Sequence, residues 1–154
     1  IARITVALGG TAPTVWETQA ARRDGANGYT VITPSSDERR DYATICDASG
    51  ASGLLDTIIP RLAKQGEITL AGFYEDPLSF TFPPAFMREA KIRIAAEFTK
   101  PDMEAVKTLV ADGRLSLAGL ITHHAAASSA PEAYAQAFTD PACIKMALDW
   151  SALA

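Results

Sequence analysis

The sequence predicts an α/β fold with a doubly wound parallel sheet, and three observations carry the prediction. Short runs rich in β-branched and aromatic residues, such as 29–32 and 42–47, alternate with amphipathic stretches such as 99–112. That alternation sets strands in parallel with helices as crossovers. The connections are short and contain glycine, at Gly9-Gly10, Gly50, Gly66, Gly72 and Gly113, where a chain reverses most easily. Apolar residues are 48% of the 154 and charged residues 21%, which suits a globular core and excludes a disordered, collagen-like or disulfide-rich chain.

The elements follow in order. Ile1, Ile4 and Leu8 recur at helical spacing, and Gly9-Gly10 stops that helix. Residues 13–17 read as a strand ending in the carboxylate of Glu17, 18–24 as a polar helix, 25–28 as a turn and 29–32 as a second strand. Residues 35–41 form a charged loop with at most one helical turn. The third strand, 42–47, is closed by Ala48-Ser49-Gly50. Leu54, Leu55, Ile58, Ile59 and Leu62 make one apolar stripe, which predicts a helix up to Gly66. Pro60 lacks an N–H and disfavours helical geometry before it, so a bend is expected near Asp56.

Residues 67–71 are a fourth strand running into Gly72-Phe73-Tyr74. Residues 78–82 alternate on one apolar face and predict another strand; 83–90 are a short helix opened by proline, and 91–97 a strand. A helix runs from Thr99 to Asp112, with Met103, Val106, Leu109 and Val110 inward and Gly113 as its stop. Residues 121–123 are extended, 124–130 an Ala/Ser loop, 131–138 a helix and 144–148 a closing strand.

Several functions are excluded. The formal charge is −4 and the paired arginines Arg22-Arg23 and Arg39-Arg40 are isolated, so no nucleic-acid footprint is expected. No apolar run approaches the roughly 18 residues of a membrane span. The N-terminal layout is not that of a signal peptide, and a cytoplasmic protein is expected. Cys46 and Cys143 lie far apart without ligand spacing, which suits a reducing compartment. His123 and His124 point to opposite faces of an extended segment, so no metal site is expected. No G-x-S-x-G elbow announces a serine nucleophile.

In a doubly wound sheet, ligands bind beyond the carboxyl ends of the strands. The residues there are Glu17, Ser49, Gly50, Gly72, Phe73, Tyr74 and Glu97. A carboxylate at Glu17 can accept both hydroxyls of an adenosine ribose and repel a 2′-phosphate, favouring NAD over NADP; the competing reading is a helix-capping carboxylate. Arg22 either stacks on adenine or lies on the surface. Ser49-Gly50 and Gly72 either admit a flat ligand close to the backbone or are turn glycines. A dinucleotide fold opens with a strand, G-x-G-x-x-G and a helix, yet neither that strand nor that fingerprint occurs here. The chain therefore reads as a fragment beginning inside the following helix. The same gap favours the alternative of a non-catalytic α/β binding or assembly module.

The order Val15-Trp16-Glu17, Asp47-Ala48-Ser49-Gly50, Gly72-Phe73-Tyr74, Ile121-Thr122-His123 and Lys145-Met146-Ala147-Leu148 resembles the C-terminal half of the medium-chain dehydrogenases, with their Rossmann-type cofactor domain. More narrowly, Ala71-Gly72-Phe73-Tyr74, Pro77-Leu78-Ser79-Phe80, Phe82-Pro83-Pro84-Ala85-Phe86-Met87-Arg88-Glu89-Ala90 and Asp140-Pro141-Ala142-Cys143 are similar to the bacteriochlorophyllide a dehydrogenase family of bacteriochlorophyll biosynthesis.

The resemblance implies an NAD-dependent oxidoreductase. It would oxidise the 3-(1-hydroxyethyl) group of a bacteriochlorophyllide, a tetrapyrrole, to acetyl. Residues 1–118 would be an incomplete NAD-binding domain and 119–154 a return segment toward an absent catalytic domain, leaving the chain inactive alone and its catalytic residues unassigned. By matching position Glu17 would hold the ribose. Ser49 and Gly50 would line the cofactor cleft. Gly72, Phe73, Tyr74 and Glu97 would lie near the nicotinamide and the macrocycle. Phe73 and Tyr74 could stack on a flat ring, with core packing the competing role for Phe73. The family also implies a homodimer paired through strand 78–82. An NAD-dependent dehydrogenase of another secondary alcohol differs only in substrate.

Overall fold

The computed structural model describes residues 1–23 and 28–153. In chain order its elements are α1 (Ala2–Ala7), β1 (Thr14–Trp16), β2 (Thr30–Ile32), β3 (Tyr42–Asp47), α2 (Leu55–Ile58), β4 (Leu62–Leu70), α3 (Phe82–Arg88), β5 (Lys91–Ile94), α4 (Lys100–Ala111), β6 (His123–Ala126), α5 (Ala130–Thr139) and β7 (Met146–Asp149). All the strand pairs described are parallel: β1 with β2, β3 with β4 and β4 with β5, and β6 with β7. Parallel neighbours need crossovers, and α2, α3 and α5 supply three of them. This is the predicted α/β class.

The chain packs as two units, Glu38–Phe98 and Ile1–Asp37 with Thr99–Ala154. In Glu38–Phe98, the side chains of Ile58, Ile59, Leu62 and Ile68 are fully buried; removing each from water contributes about 1.5–3 kcal/mol. The other unit buries Ala7, Leu109 and Leu115 together, with Ile4 and Val106 packed against them. Here α4 is started by a reciprocal capping box between Thr99 and Asp102 with Pro101 in its first turn, the arrangement that satisfies otherwise unpaired N–H groups.

Four expectations change. The stripe Leu55, Ile58, Ile59 and Leu62 is core, but its helix is one turn long. Pro60 stands in a 3-10 turn, Ile59–Arg61, and the strand begins at Leu62; the break falls at Ile59 rather than near Asp56. The β3–β4 register then shifts between Tyr42 and Thr44, where Gln65 takes φ 62. Regular pairing resumes at Glu67, the start expected from sequence.

Second, residues 78–81 pair with no strand, and Phe82 opens α3. The Thr81 N–H donates to Asp56 Oδ1 at 2.6 Å instead of to a sheet neighbour. Third, the Ala-rich segment expected as a loop from 124 holds strand β6, because Met146 to Asp149 offers a parallel partner and alanine prefers neither state strongly enough to oppose it. Fourth, on α4 Leu109 is buried and Val106 half-buried, whereas Met103 and Val110 are exposed. Within 18–23 the helical geometry is a 3-10 turn at Ala20–Arg22. The rest of the turn expected at 25–28 lies outside the described residues, apart from Gly28.

Candidate functional site

The carboxyl ends of β3 and β4 are joined through one residue, Asp47, which is 5% exposed. It sits where β3 ends because its own side chain turns the chain: Oδ1 accepts the Ser49 N–H at 2.9 Å and the Ser49 hydroxyl at 2.7 Å. An Asp two residues before a Ser favours this turn. The Ser49 Oγ in turn accepts the Ala51 N–H. The Asp47 carbonyl reaches across to the other strand end, accepting the Ala71 and Gly72 N–H groups at 2.7 and 3.1 Å and the Tyr74 hydroxyl at 3.3 Å. Asp47 Oδ2 is buried with no hydrogen-bond partner.

The glycines belong to the same knot. Gly50 has φ +74, and a Cβ there would lie 2.7 Å from the Phe73 carbonyl oxygen. A Cβ at Gly72 would lie 2.7 Å from the Gly50 nitrogen. The two strand-end loops thus touch backbone to backbone, which only glycine permits. Burial pushes the Tyr74 hydroxyl up to about 12, and neighbouring Asp47 adds to the rise. The phenol therefore stays protonated near neutrality and serves as a donor. Phe73 is 89% exposed in this chain.

The structure thus brings together Ser49, Gly50, Gly72, Phe73 and Tyr74. Glu97 is exposed three residues beyond β5. Glu17 follows β1, and its Oε1 accepts the Gln19 N–H at 2.7 Å, while the 3-10 turn Ala20–Arg22 that follows has no side-chain cap. Arg22 is half-buried, its guanidinium donating to the Pro141 carbonyl at 2.6 Å and the Cys143 carbonyl at 3.3 Å. Arg22 and Glu17 sit in the same unit.

Sequence reasoning missed three groupings. It read Asp47 only as a strand end, although the D-x-S spacing signals a turn. Trp16 Nε1 donates to the buried Asp37 at 2.7 Å. His123 has Nδ1 2.9 Å from the Thr122 hydroxyl and Nε2 3.3 Å from Asp140. The Asp37 and Asp140 contacts join residues far apart along the chain, which no local pattern announces. Among the described residues no cluster of His, Cys, Asp or Glu could hold a metal ion. Both cysteines are free thiols, Cys143 buried and Cys46 exposed.

No protein-family model matches the chain. It is 59% identical over all 154 residues to 2-desacetyl-2-hydroxyethyl bacteriochlorophyllide A dehydrogenase of Cereibacter sphaeroides. It is 56% identical over 150 residues to the protein of the same name from Rhodobacter capsulatus. The chain spans about half the length of each of these relatives, 48%.

Solved structures agree on the fold. A short chain alcohol dehydrogenase of Escherichia coli, crystallised with NADH, superposes with TM-score 0.84 at 17% identity, covering 97% of this chain and 48% of that one. The L-idonate 5-dehydrogenase of Escherichia coli gives 0.83 at 17%, covering 97% and 46%. No helix among the described residues is long and apolar enough to cross a membrane.

Proposed function

We propose that the protein carrying this chain is an NAD-dependent oxidoreductase of bacteriochlorophyll biosynthesis, oxidising the 3-(1-hydroxyethyl) group of a bacteriochlorophyllide to acetyl. The observation that carries the reading is the 59% identity along all 154 residues to a dehydrogenase named for that substrate. The residues present fit a dinucleotide. A carboxylate, Glu17, directly follows a parallel strand, where a ribose is held in such folds. The ends of β3 and β4 carry two glycines and the exposed Phe73 ring. NAD, when bound, supplies the hydride acceptor: the carbinol loses a hydride and its hydroxyl proton, giving ketone, NADH and a proton.

This chain's own residues bind and orient. Glu17 accepts the ribose hydroxyls and disfavours a 2′-phosphate. Arg22, anchored on the Pro141 and Cys143 carbonyls, lies at the adenine side. Ser49 and Gly50 line the cleft, and Gly72, Phe73, Tyr74 and Glu97 lie toward the nicotinamide and the macrocycle. Phe73 offers a face for a flat ring.

Residues 1–118 belong in this reading to the cofactor domain and 119–154 to the return toward the catalytic domain. The 154-residue chain, having no G-x-G-x-x-G loop, lacks turnover by itself. The protein acts in the cytoplasm as a homodimer joined through 78–82. In support, 78–81 pair with no strand among the described residues, and the segment borders a groove of about 480 Å³ where Phe80, Phe82, Phe86 and Met87 stand beside the charged Lys64 and Glu89.

The test is turnover by the full-length protein. The hydroxyethyl bacteriochlorophyllide should yield acetyl product and NADH in equal amounts, with NADP a poor substitute. Preference for a small secondary alcohol would transfer the reading to another NAD-dependent dehydrogenase. No nicotinamide requirement at all would favour the binding-module alternative.

A further inference from the structure

Asp47 makes more bonds to the two strand-end loops than any residue assigned to the cofactor. Its carboxylate fixes Ser49 by two hydrogen bonds, and its carbonyl receives three donors from 71–74. Those two loops also approach too closely for a Cβ at Gly50 or Gly72. Both Ser49 bonds converge on one oxygen of the carboxylate. The other oxygen is buried without a partner. Burying an unpaired polar atom costs stability, and a plain turn could be made by a neutral residue without that cost. The loops it holds contain five of the residues assigned to the cofactor and macrocycle.

We propose that Asp47 is a positioning residue for the nicotinamide cofactor, setting the register of the Ser49-Gly50 loop against the Gly72–Tyr74 loop without touching the cofactor. This rests on the NAD reading above. Ser49, held by the side chain, and Tyr74, held by the carbonyl, are the two arms of the device. Tyr74 is locked as a donor to the backbone and does not exchange protons with substrate.

The experiment uses the full-length protein with NAD and measures KM for NAD, kcat at saturating NAD, KM for the tetrapyrrole and the melting temperature. Asp47→Ala should raise KM for NAD ~10-fold or more, with a much smaller change in kcat and in the tetrapyrrole KM. Asp47→Asn keeps an acceptor oxygen for Ser49 but not the carboxylate, and should recover only part of that loss. Ser49→Ala removes one of the two bonds to the carboxylate and Tyr74→Phe one of the three to the carbonyl, and each should raise KM for NAD by a smaller factor, ~2- to 5-fold.

A folded Asp47→Ala protein with wild-type KM for NAD overturns the proposal, as does a loss confined to melting temperature and active fraction. If Asp47→Ala does not fold, the two single-arm variants decide, and wild-type KM values in both overturn it. A wild-type protein without NAD dependence overturns the functional reading, and this proposal falls with it. An active wild type with indifferent variants overturns this proposal alone.

Discussion

Residues Glu38–Phe98 and the remainder of the chain bury different chemistry. The first unit closes a three-stranded parallel sheet over branched aliphatic side chains, and Leu55, Ile58, Ile59, Leu62, Ile68 and Leu70 are each at most 4% exposed. The second unit has two two-stranded sheets, and its buried positions include the small residues Ala7, Ala127, Ala133 and Cys143. Beside its small core of Ala7, Leu109 and Leu115, it is tied by side-chain bonds between distant parts of the sequence. Arg3 donates to the Ser116 and Ala118 carbonyls, Arg114 to Ala7, Arg22 to Pro141 and Cys143, and Trp16 to Asp37. The first unit buries more aliphatic area, a non-directional stabilisation, and it too carries polar ties such as Thr81 to Asp56 and Arg93 to Glu67; the second adds arginine bonds between distant segments, whose geometry must be kept.

Mutations should divide along that line. The largest effect is expected at Ile58, 1% exposed: Ile58→Ala should cost about 2–5 kcal/mol in denaturant unfolding, and a loss under ~1 kcal/mol would mean this core is loosely packed. Next, Arg22→Ala removes two bonds from a charged donor to carbonyls in the polar-tied unit. About 1–3 kcal/mol is expected, with increased hydrogen exchange around residue 143 rather than in β4. Thr99→Ala breaks the capping box of α4 and should cost about 1 kcal/mol, read as fraying of that helix.

The smallest effects concern charge. The Arg93 guanidinium beside Glu67, with help from the Thr69 hydroxyl, holds the Glu67 carboxyl below its ordinary range. A depressed folded-state value means stabilisation present above the unfolded value of about 4.3 and lost as pH falls through the folded one. Arg93→Ala should return the Glu67 titration upward in an NMR pH series and flatten this acid limb. The Thr99 hydroxyl and N–H depress Asp102 in the same direction, so Thr99→Ala should raise its titration too.

Where the sequence was readable, each local signal agreed with the tertiary outcome. Residues 42–47 are β-rich and flanked by a glycine turn, and they form β3 with those bounds. The helix beginning at Lys100 has its cap, its proline and its glycine stop in order. The misread segments are those where local and long-range preferences diverge. Leu54 to Leu62 has helical apolar spacing, but Pro60 and pairing with Tyr42 turn its end into strand. His124, Ala125 and Ala126 have little preference of their own, and β7 decides for them. Residues 78–82 alternate like a strand but have no strand beside them within the described residues.

The site divides in the same way. Strand-end positions follow from the parallel order, so Glu17, Ser49, Gly50, Gly72 and Tyr74 could be named in advance. The linkage of Ser49, Gly72 and Tyr74 through Asp47 could not, since the donors to its carbonyl stand 24 to 27 residues later.

The most direct test of the account is calorimetric titration of the full-length protein with NAD and with NADP, repeated for Glu17→Ala. NAD should bind saturably and more tightly than NADP, and Glu17→Ala should weaken NAD and narrow the gap between the two. Absence of NAD binding, or equal affinities unaffected by Glu17→Ala, would contradict the assignment of these strand ends to a dinucleotide.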